Sequence, residues 1–124
     1  MAEDGDEDLE TVAGLLEDEY ARQILRETSL ERLSAAALAE RCGASKATAY
    51  RRIERLREQD LLEAYQELDP DGHHYETFVA SLEELTVRLE DGSFEVTVER
   101  TTDPADRFRD MLGQLKEPGD DGSR

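Results

Sequence analysis

Basic residues gather in one short stretch of an otherwise acidic chain. Residues 44–57 contain five basic residues and one acidic residue, a local charge of +4, whereas the whole chain of 124 residues carries −17. The other 110 residues therefore carry −21. Four of the five basic residues are arginines, whose planar guanidinium forms forked contacts with phosphate and with the O6 and N7 atoms of guanine. The stretch predicts contact with an anionic partner.

Apolar spacing places this stretch on a helix with one buried side. Ala49, Ile53 and Leu56 are spaced four and three apart, so they share one face of a helix that Ser45 caps and that runs to about Gln59. Because a helix fits the major groove, we expect the opposite face to contact double-stranded DNA. The side chains on or beside that face are Ser45, Lys46, Thr48, Tyr50, Arg51, Arg52 and Arg55.

Two further helical patterns precede this helix. The nearer one begins at Ser34 and ends at Gly43, where a left-handed residue is needed, and a very short turn leads from it to Ser45. Farther upstream, a helical pattern starts at Leu9, and Asp18 can cap a second piece. Two helices joined by a tight glycine turn are typical of a helix-turn-helix.

Two β-hairpins follow. Residues 61–68 and 75–80 are rich in strand formers and flank the strong turn signal of residues 69–72. Asp91-Gly92 favours a two-residue type I′ turn, which pairs residues whose numbers sum to 183. In that register the apolar pairs 85/98, 87/96 and 89/94 share one face, and Arg88 meets Glu95 on the other.

The last pattern is a helix at residues 103–116. Asp103-Pro104 supplies a cap followed by proline at the first helical position. An apolar stripe follows at helical spacing and must bury against something, either the chain's own domain or a second subunit. The residues of this stripe are Phe108, Met111, Leu112 and Leu115.

Segment 34–62 resembles the helix-turn-helix of ArsR-like winged-helix regulators. The shared pattern is L-A-x-x-C-G-A-S-x-x-T-A-Y-R-R-I-x-x-L, at residues 38–56. Leu61, Leu62 and the first hairpin are similar to the first wing strand and the wing. Residues 18–25 resemble the first helix of the small haloarchaeal regulators of this group. The resemblance covers residues 15–80 well, and only those haloarchaeal relatives extend it over residues 81–115.

The resemblance implies an α+β winged helix-turn-helix fold with three helices, a wing hairpin, a second β-hairpin and a C-terminal helix. It implies that bases and nearby phosphates are approached by Ser45, Lys46, Thr48, Arg51 and Arg52. Arg55 would contact the backbone, and Tyr50 would contact the backbone or pack at the helix edge. Members of the family pair through terminal helices, so the resemblance favours a dimer interface formed by Phe108, Met111, Leu112 and Leu115. It further implies that the wing, near Gly72, His73 and His74, approaches the minor groove. This wing has no Lys or Arg, which is a departure from that role.

These patterns predict the following organisation. Residues 1–8 form an acidic flexible tail, 9–81 the winged helix-turn-helix DNA-binding domain, 82–101 an additional β-hairpin, 103–116 a C-terminal dimerisation helix and 117–124 a second flexible tail. No secretory signal and no apolar run of the ~18 residues needed to span a bilayer are visible, so we expect a cytoplasmic protein. Scarce lysine and abundant acidic residues resemble the proteins of salt-in halophilic archaea.

The sequence therefore predicts a dimeric, sequence-specific transcriptional regulator without cofactor or metal, and not an enzyme, since no catalytic set is visible. The main alternative is a winged-helix module for protein–protein contacts, which the acidic surplus and uncharged wing favour. The single cysteine, Cys42, is expected to be a small buried core residue. A redox sensor that acts through its thiol is a weaker alternative. An alternative for the arginine face is a solvated surface whose arginines pair with Glu54 and Glu58. An alternative for His73 and His74 is an exposed turn without a functional role.

Overall fold

The fold is seen in a computed structural model of the chain, which describes residues 8–101. The predicted α+β winged helix-turn-helix class is confirmed. The tail predicted at 1–8, apart from Asp8, the C-terminal helix at 103–116 and the tail at 117–124 lie outside the described residues. The described elements are α1 (Leu9–Glu17), α2 (Glu19–Thr28), β1 (Leu33–Ser34), α3 (Ala35–Cys42), α4 (Lys46–Glu58), β2 (Leu62–Leu68), β3 (His74–Ala80), β4 (Leu82–Glu90) and β5 (Ser93–Arg100).

Residues 8–101 contain four helices, where the fold prediction counted three before the wing. Asp18 has an extended backbone (φ −76°, ψ 118°), which ends α1 and starts α2. Its side chain accepts a hydrogen bond from the amide of Tyr20 at 3.0 Å, as an N-cap does. α1 and α2 are therefore separate helices, and their directions are set by one capping residue.

Local capping defines the turn between α3 and α4. The Ser34 hydroxyl accepts a hydrogen bond from the amide of Ala37 at 3.2 Å. Gly43 has φ 66°, the left-handed conformation that favours glycine at a helix end. The Ser45 hydroxyl then accepts a hydrogen bond from the amide of Thr48 at 3.1 Å and starts α4. The predicted caps and turn are all confirmed.

Two antiparallel sheets follow the helices. The first has the order β1-β3-β2, in which β2 and β3 form the wing, and the second is the hairpin of β4 and β5. β1 was not predicted, because two residues are too short to show an alternating pattern. The predicted register of the second hairpin is confirmed at Leu85, Val87 and Leu89, although Arg88 forms its ion pair with Glu90 at 3.1 Å and not with Glu95.

One hydrophobic core joins the helices to both sheets. Val96 and Val98 of β5 are buried in the same cluster as Val12 of α1 and Ile53 of α4. Burial of each such side chain stabilises the fold by about 1.5–3 kcal/mol. Within residues 8–101, every helix is too short or too polar to span a lipid bilayer.

The second hairpin extends beyond this core. Its apolar face includes the buried Val96 and Val98 and then continues into neighbouring residues of the register. The rest of residues 8–101 leaves these neighbours largely exposed. These residues, which we call the apolar strip, are Val87, Leu89 and Phe94, with exposed fractions of 48%, 66% and 60%.

Candidate nucleic-acid interface

Helix α4 presents one side to the core and the other to solvent. Ala49, Ile53 and Leu56 are at most 1% exposed and pack against the preceding helices and the sheet.

Two hydrogen bonds from β5 also hold the C-terminal end of α4. Arg100 of β5 donates to the backbone carbonyls of Gln59 and Asp60, at 2.8 Å and 3.0 Å. A cation at the carbonyl end of a helix is favoured by the helix dipole.

Three cations on the outward side of α4 have no carboxylate partner among residues 8–101. Lys46, Arg51 and Arg55 are exposed, and none forms an ion pair within the part of the chain that the structure describes. The Arg51 guanidinium donates only a long hydrogen bond, 3.4 Å, to the Thr48 hydroxyl. As far as residues 8–101 are concerned, each guanidinium or ammonium is therefore available to bind an anion.

Arg52 has a different environment from its neighbour Arg51. Its guanidinium binds the Asp18 carboxylate, and it lies over the Tyr20 ring at 5.6 Å from the ring centroid. The two charged side chains are only 26% and 14% exposed. The prediction that Arg52 reads bases is at odds with this placement, since its charge is already used to hold α4 against the start of α2.

The contact with Arg52 changes the pKa of the Asp18 carboxyl. Burial raises its pKa, but the hydrogen bond from Arg52, the amides of Tyr20 and Ala21 and the Arg52 charge lower it, and the net pKa lies below the usual range. Asp18 is therefore ionised wherever the protein is folded at ordinary pH, and it both caps α2 and binds α4.

Among the other residues of α4 and its cap, some cap the helix and others are exposed or form ion pairs. The Ser45 hydroxyl donates a hydrogen bond to the Thr48 hydroxyl at 3.1 Å, so both hydroxyls are engaged at the start of α4. Tyr50 is 46% exposed beside the cations. Arg57 is paired with Glu54 at 3.3 Å. Cationic character is therefore strongest in the N-terminal half of α4, whereas the exposed Glu54 and Glu58 lie in its C-terminal half.

The wing turn is acidic. Asp69 accepts hydrogen bonds from the amides of Asp71 and His73, at 2.9 Å and 2.8 Å, and Gly72 has φ 86°. Ligand atoms of the two aspartates and His73 lie within 4.8 Å of one another, although one oxygen of Asp69 already accepts both amides. A turn with two carboxylates repels phosphate, so Gly72 and His73 are poorly placed for the predicted minor-groove contact.

His74 lies apart from that turn, at the start of β3. It lines a groove between the wing and the helix-turn-helix, with a volume of about 350 Å³. Tyr75, the first residue of the segment predicted as the return strand, is 45% exposed and lines the same groove. The residues that line the groove are Ser34, Ala35, Ala36, Lys46, Tyr50, His74, Tyr75 and Glu76.

Cys42 is half-buried against the core. Burial, helped by the charges of Glu27 and Asp18 and opposed by that of Arg26, raises the pKa of its thiol. A raised pKa lowers the fraction of reactive thiolate. This environment is typical of a small packing residue and disfavours the redox-sensor hypothesis.

Comparison with known proteins identifies the same region. Residues 16–64 match a family model described as a helix-turn-helix domain. The match runs through α2, α3 and α4 and ends at the start of the wing. A search of the curated proteins found no match. The chain therefore carries a helix-turn-helix domain, and α4 stands where the second helix of that motif stands.

Proposed function

We propose that this chain is a sequence-specific DNA-binding regulator of transcription that inserts the N-terminal half of α4 into the major groove. The observation that carries the proposal concerns three cations on the outward side of α4 in a helix-turn-helix, which form no ion pair within residues 8–101: Lys46, Arg51 and Arg55. Recognition helices contact base edges mainly through their N-terminal residues, and this half of α4 lacks carboxylates.

Each exposed side chain then has a role. Lys46 and Arg51 approach bases and nearby phosphates, and Tyr50 and Arg55 contact the backbone. Ser45 and Thr48 keep α4 capped while their outer surfaces face the DNA. Arg52 holds α4 to α2 and takes no part in reading bases.

We further propose an ArsR-like regulator that works at high salt in a halophilic archaeon. At molar salt the Debye length falls to ~3 Å, so the −17 charge of the chain is screened beyond direct contact. Close contacts such as those of Arg51 then decide binding. The abundance of Asp and Glu over Lys supports this setting.

Selection from a pool of random DNA duplexes tests the proposal. At molar KCl, the wild-type chain should enrich one sequence, an imperfect palindrome with half-sites about one turn (~34 Å) apart. The bound fraction is measured by gel shift on the enriched duplex and on a scrambled duplex of equal composition. Absence of enrichment, with equal and weak binding of both duplexes, would contradict the proposal.

The palindrome follows from a homodimer, which we propose forms through the apolar strip together with residues 103–116. The exposed strip supports this, as does the helical spacing of the apolar residues in that segment. Leu89→Asp should shift the chain from dimer to monomer in sedimentation, whereas Leu68→Asp, at an equally exposed leucine outside the strip, should leave the dimer intact. A dimeric Leu89→Asp variant would remove the strip from the interface.

A protein–protein module is the second candidate. The apolar strip and the acidic wing turn favour it, because an uncovered apolar face and a phosphate-repelling wing suit a protein partner. This candidate predicts equal affinity for random and enriched DNA, with tight capture of one partner protein that Leu89→Asp abolishes.

A further inference from the structure

We propose that the groove between α3, α4 and the wing holds one strand of the DNA backbone, with Lys46, Tyr50, His74 and Tyr75 as its phosphate contacts. This rests on the proposed function, and it adds a second contact surface beside the base-reading face of α4. It also replaces the acidic wing turn as the part of the wing that touches DNA.

The two tyrosines give the first argument. Tyr50 of α4 and Tyr75 of β3 line the same groove, and each leaves nearly half of its surface exposed. Within residues 8–101, neither hydroxyl has a hydrogen-bond partner. Tyrosine hydroxyls are regular donors to phosphate oxygens in protein–DNA complexes.

Charge and shape give the second argument. The ammonium of Lys46, which forms no ion pair within residues 8–101, and the imidazole of His74 both line the groove, one from α4 and the other from β3. Ala35 and Ala36 line the α3 side with small side chains, so a backbone strand can approach closely. Because Lys46 begins α4 and also lines the groove, a DNA strand leaving the major groove beside the start of α4 would pass along it.

Glu76 lines the same groove and gives the proposal a distinctive consequence. Its carboxylate repels a phosphate that enters the groove. Removal of that charge should therefore strengthen DNA binding, which is an effect that loss of folding cannot imitate. Glu63 is exposed on β2 of the same wing but does not line the groove, so it serves as a matched control.

The experiment measures affinity for the enriched duplex and for the scrambled duplex at constant salt. Tyr75→Phe should weaken binding about two- to tenfold on both duplexes alike, because a phosphate contact carries no sequence information. Glu76→Gln should tighten binding about two- to fivefold, whereas Glu63→Gln should leave it unchanged.

The outcomes separate this inference from the proposed function. Wild-type affinities in both Tyr75→Phe and Glu76→Gln, with a loss in Arg51→Ala, would overturn the groove contact and leave the regulator proposal standing. Equal gains in Glu76→Gln and Glu63→Gln would assign the effect to net charge and overturn the groove contact too. Failure of the wild-type chain to bind any duplex would overturn both proposals.

Discussion

Arg51→Ala should weaken binding to the enriched duplex by about 1–3 kcal/mol and leave the free energy of unfolding unchanged. The Arg51 side chain is exposed and forms no ion pair within residues 8–101, so its removal leaves no buried group without a partner. Affinity is measured by gel shift or fluorescence anisotropy, and stability by chemical denaturation of the same samples.

The neighbouring arginine provides the contrast. Arg52→Ala should lower the free energy of unfolding, because it leaves the Asp18 carboxylate with no charged partner. Arg57→Ala, which removes an arginine already paired with Glu54, should change DNA affinity least of the three. Wild-type affinity in Arg51→Ala, or an equal loss in Arg57→Ala, would remove the outward face of α4 from the interface.

These two arginines show where reasoning from the sequence succeeds and where it stops. Arg51 and Arg52 have the same chemistry, and both lie outside the Ala49, Ile53 and Leu56 stripe, so the helical pattern placed both on the outward face. The partner that distinguishes them, Asp18, is 34 residues away along the chain. Asp18 was predicted correctly as an N-cap, but no local pattern indicates that the same carboxylate also reaches α4.

Features fixed by near neighbours were predictable. Ser34, Gly43 and Ser45 act through hydrogen bonds and backbone conformations within a few residues. The hairpin register followed from the Asp91-Gly92 turn, where both residues have positive φ, and from alternation of apolar residues. Local chemistry determines such features, so a single sequence is sufficient to find them.

Features fixed by tertiary packing were not predictable. The apolar faces of β4 and β5 look alike in sequence, yet Val96 is buried and its cross-strand partner Val87 is 48% exposed. The groove likewise depends on which residues of β3 come to lie beside α3 and α4. Tyr75 therefore had no signal that separates it from an ordinary sheet residue.

The charge distribution connects the interface to the rest of the surface. In the proposed complex at low salt, the acidic surface repels the DNA backbone outside the contacts of Lys46, Arg51 and Arg55, so sequence-independent attachment is weak. At molar salt this repulsion is screened beyond direct contact. Specific complexes gain more from a few close contacts than from the general field. An overall charge of −17 is therefore compatible with the proposed role of α4 in DNA binding.

Asp18→Asn should lower the free energy of unfolding by about 1–3 kcal/mol at neutral pH, between the values for exposed ion pairs and for buried pairs that lose one partner. Asparagine caps a helix as well as aspartate does, so the hydrogen bond to the Tyr20 amide should survive. The loss therefore reports mainly the removal of the negative charge that Arg52 binds. Glu19→Gln removes the same charge at an exposed neighbouring position and should cost much less.

The pH dependence of that difference identifies its cause. The pKa of Asp18 is lower in the folded chain than its ordinary value, so its stabilising contribution is fully present above about pH 4 and is lost as the pH falls through the lower folded value. Denaturation of wild type and Asp18→Asn at a series of pH values should show two stabilities that differ at pH 7 and converge in acid. Other carboxylates titrate in both proteins and cancel in the comparison. A difference that stays constant down to the acid limit would mean that Asp18 acts through its shape and not through its charge.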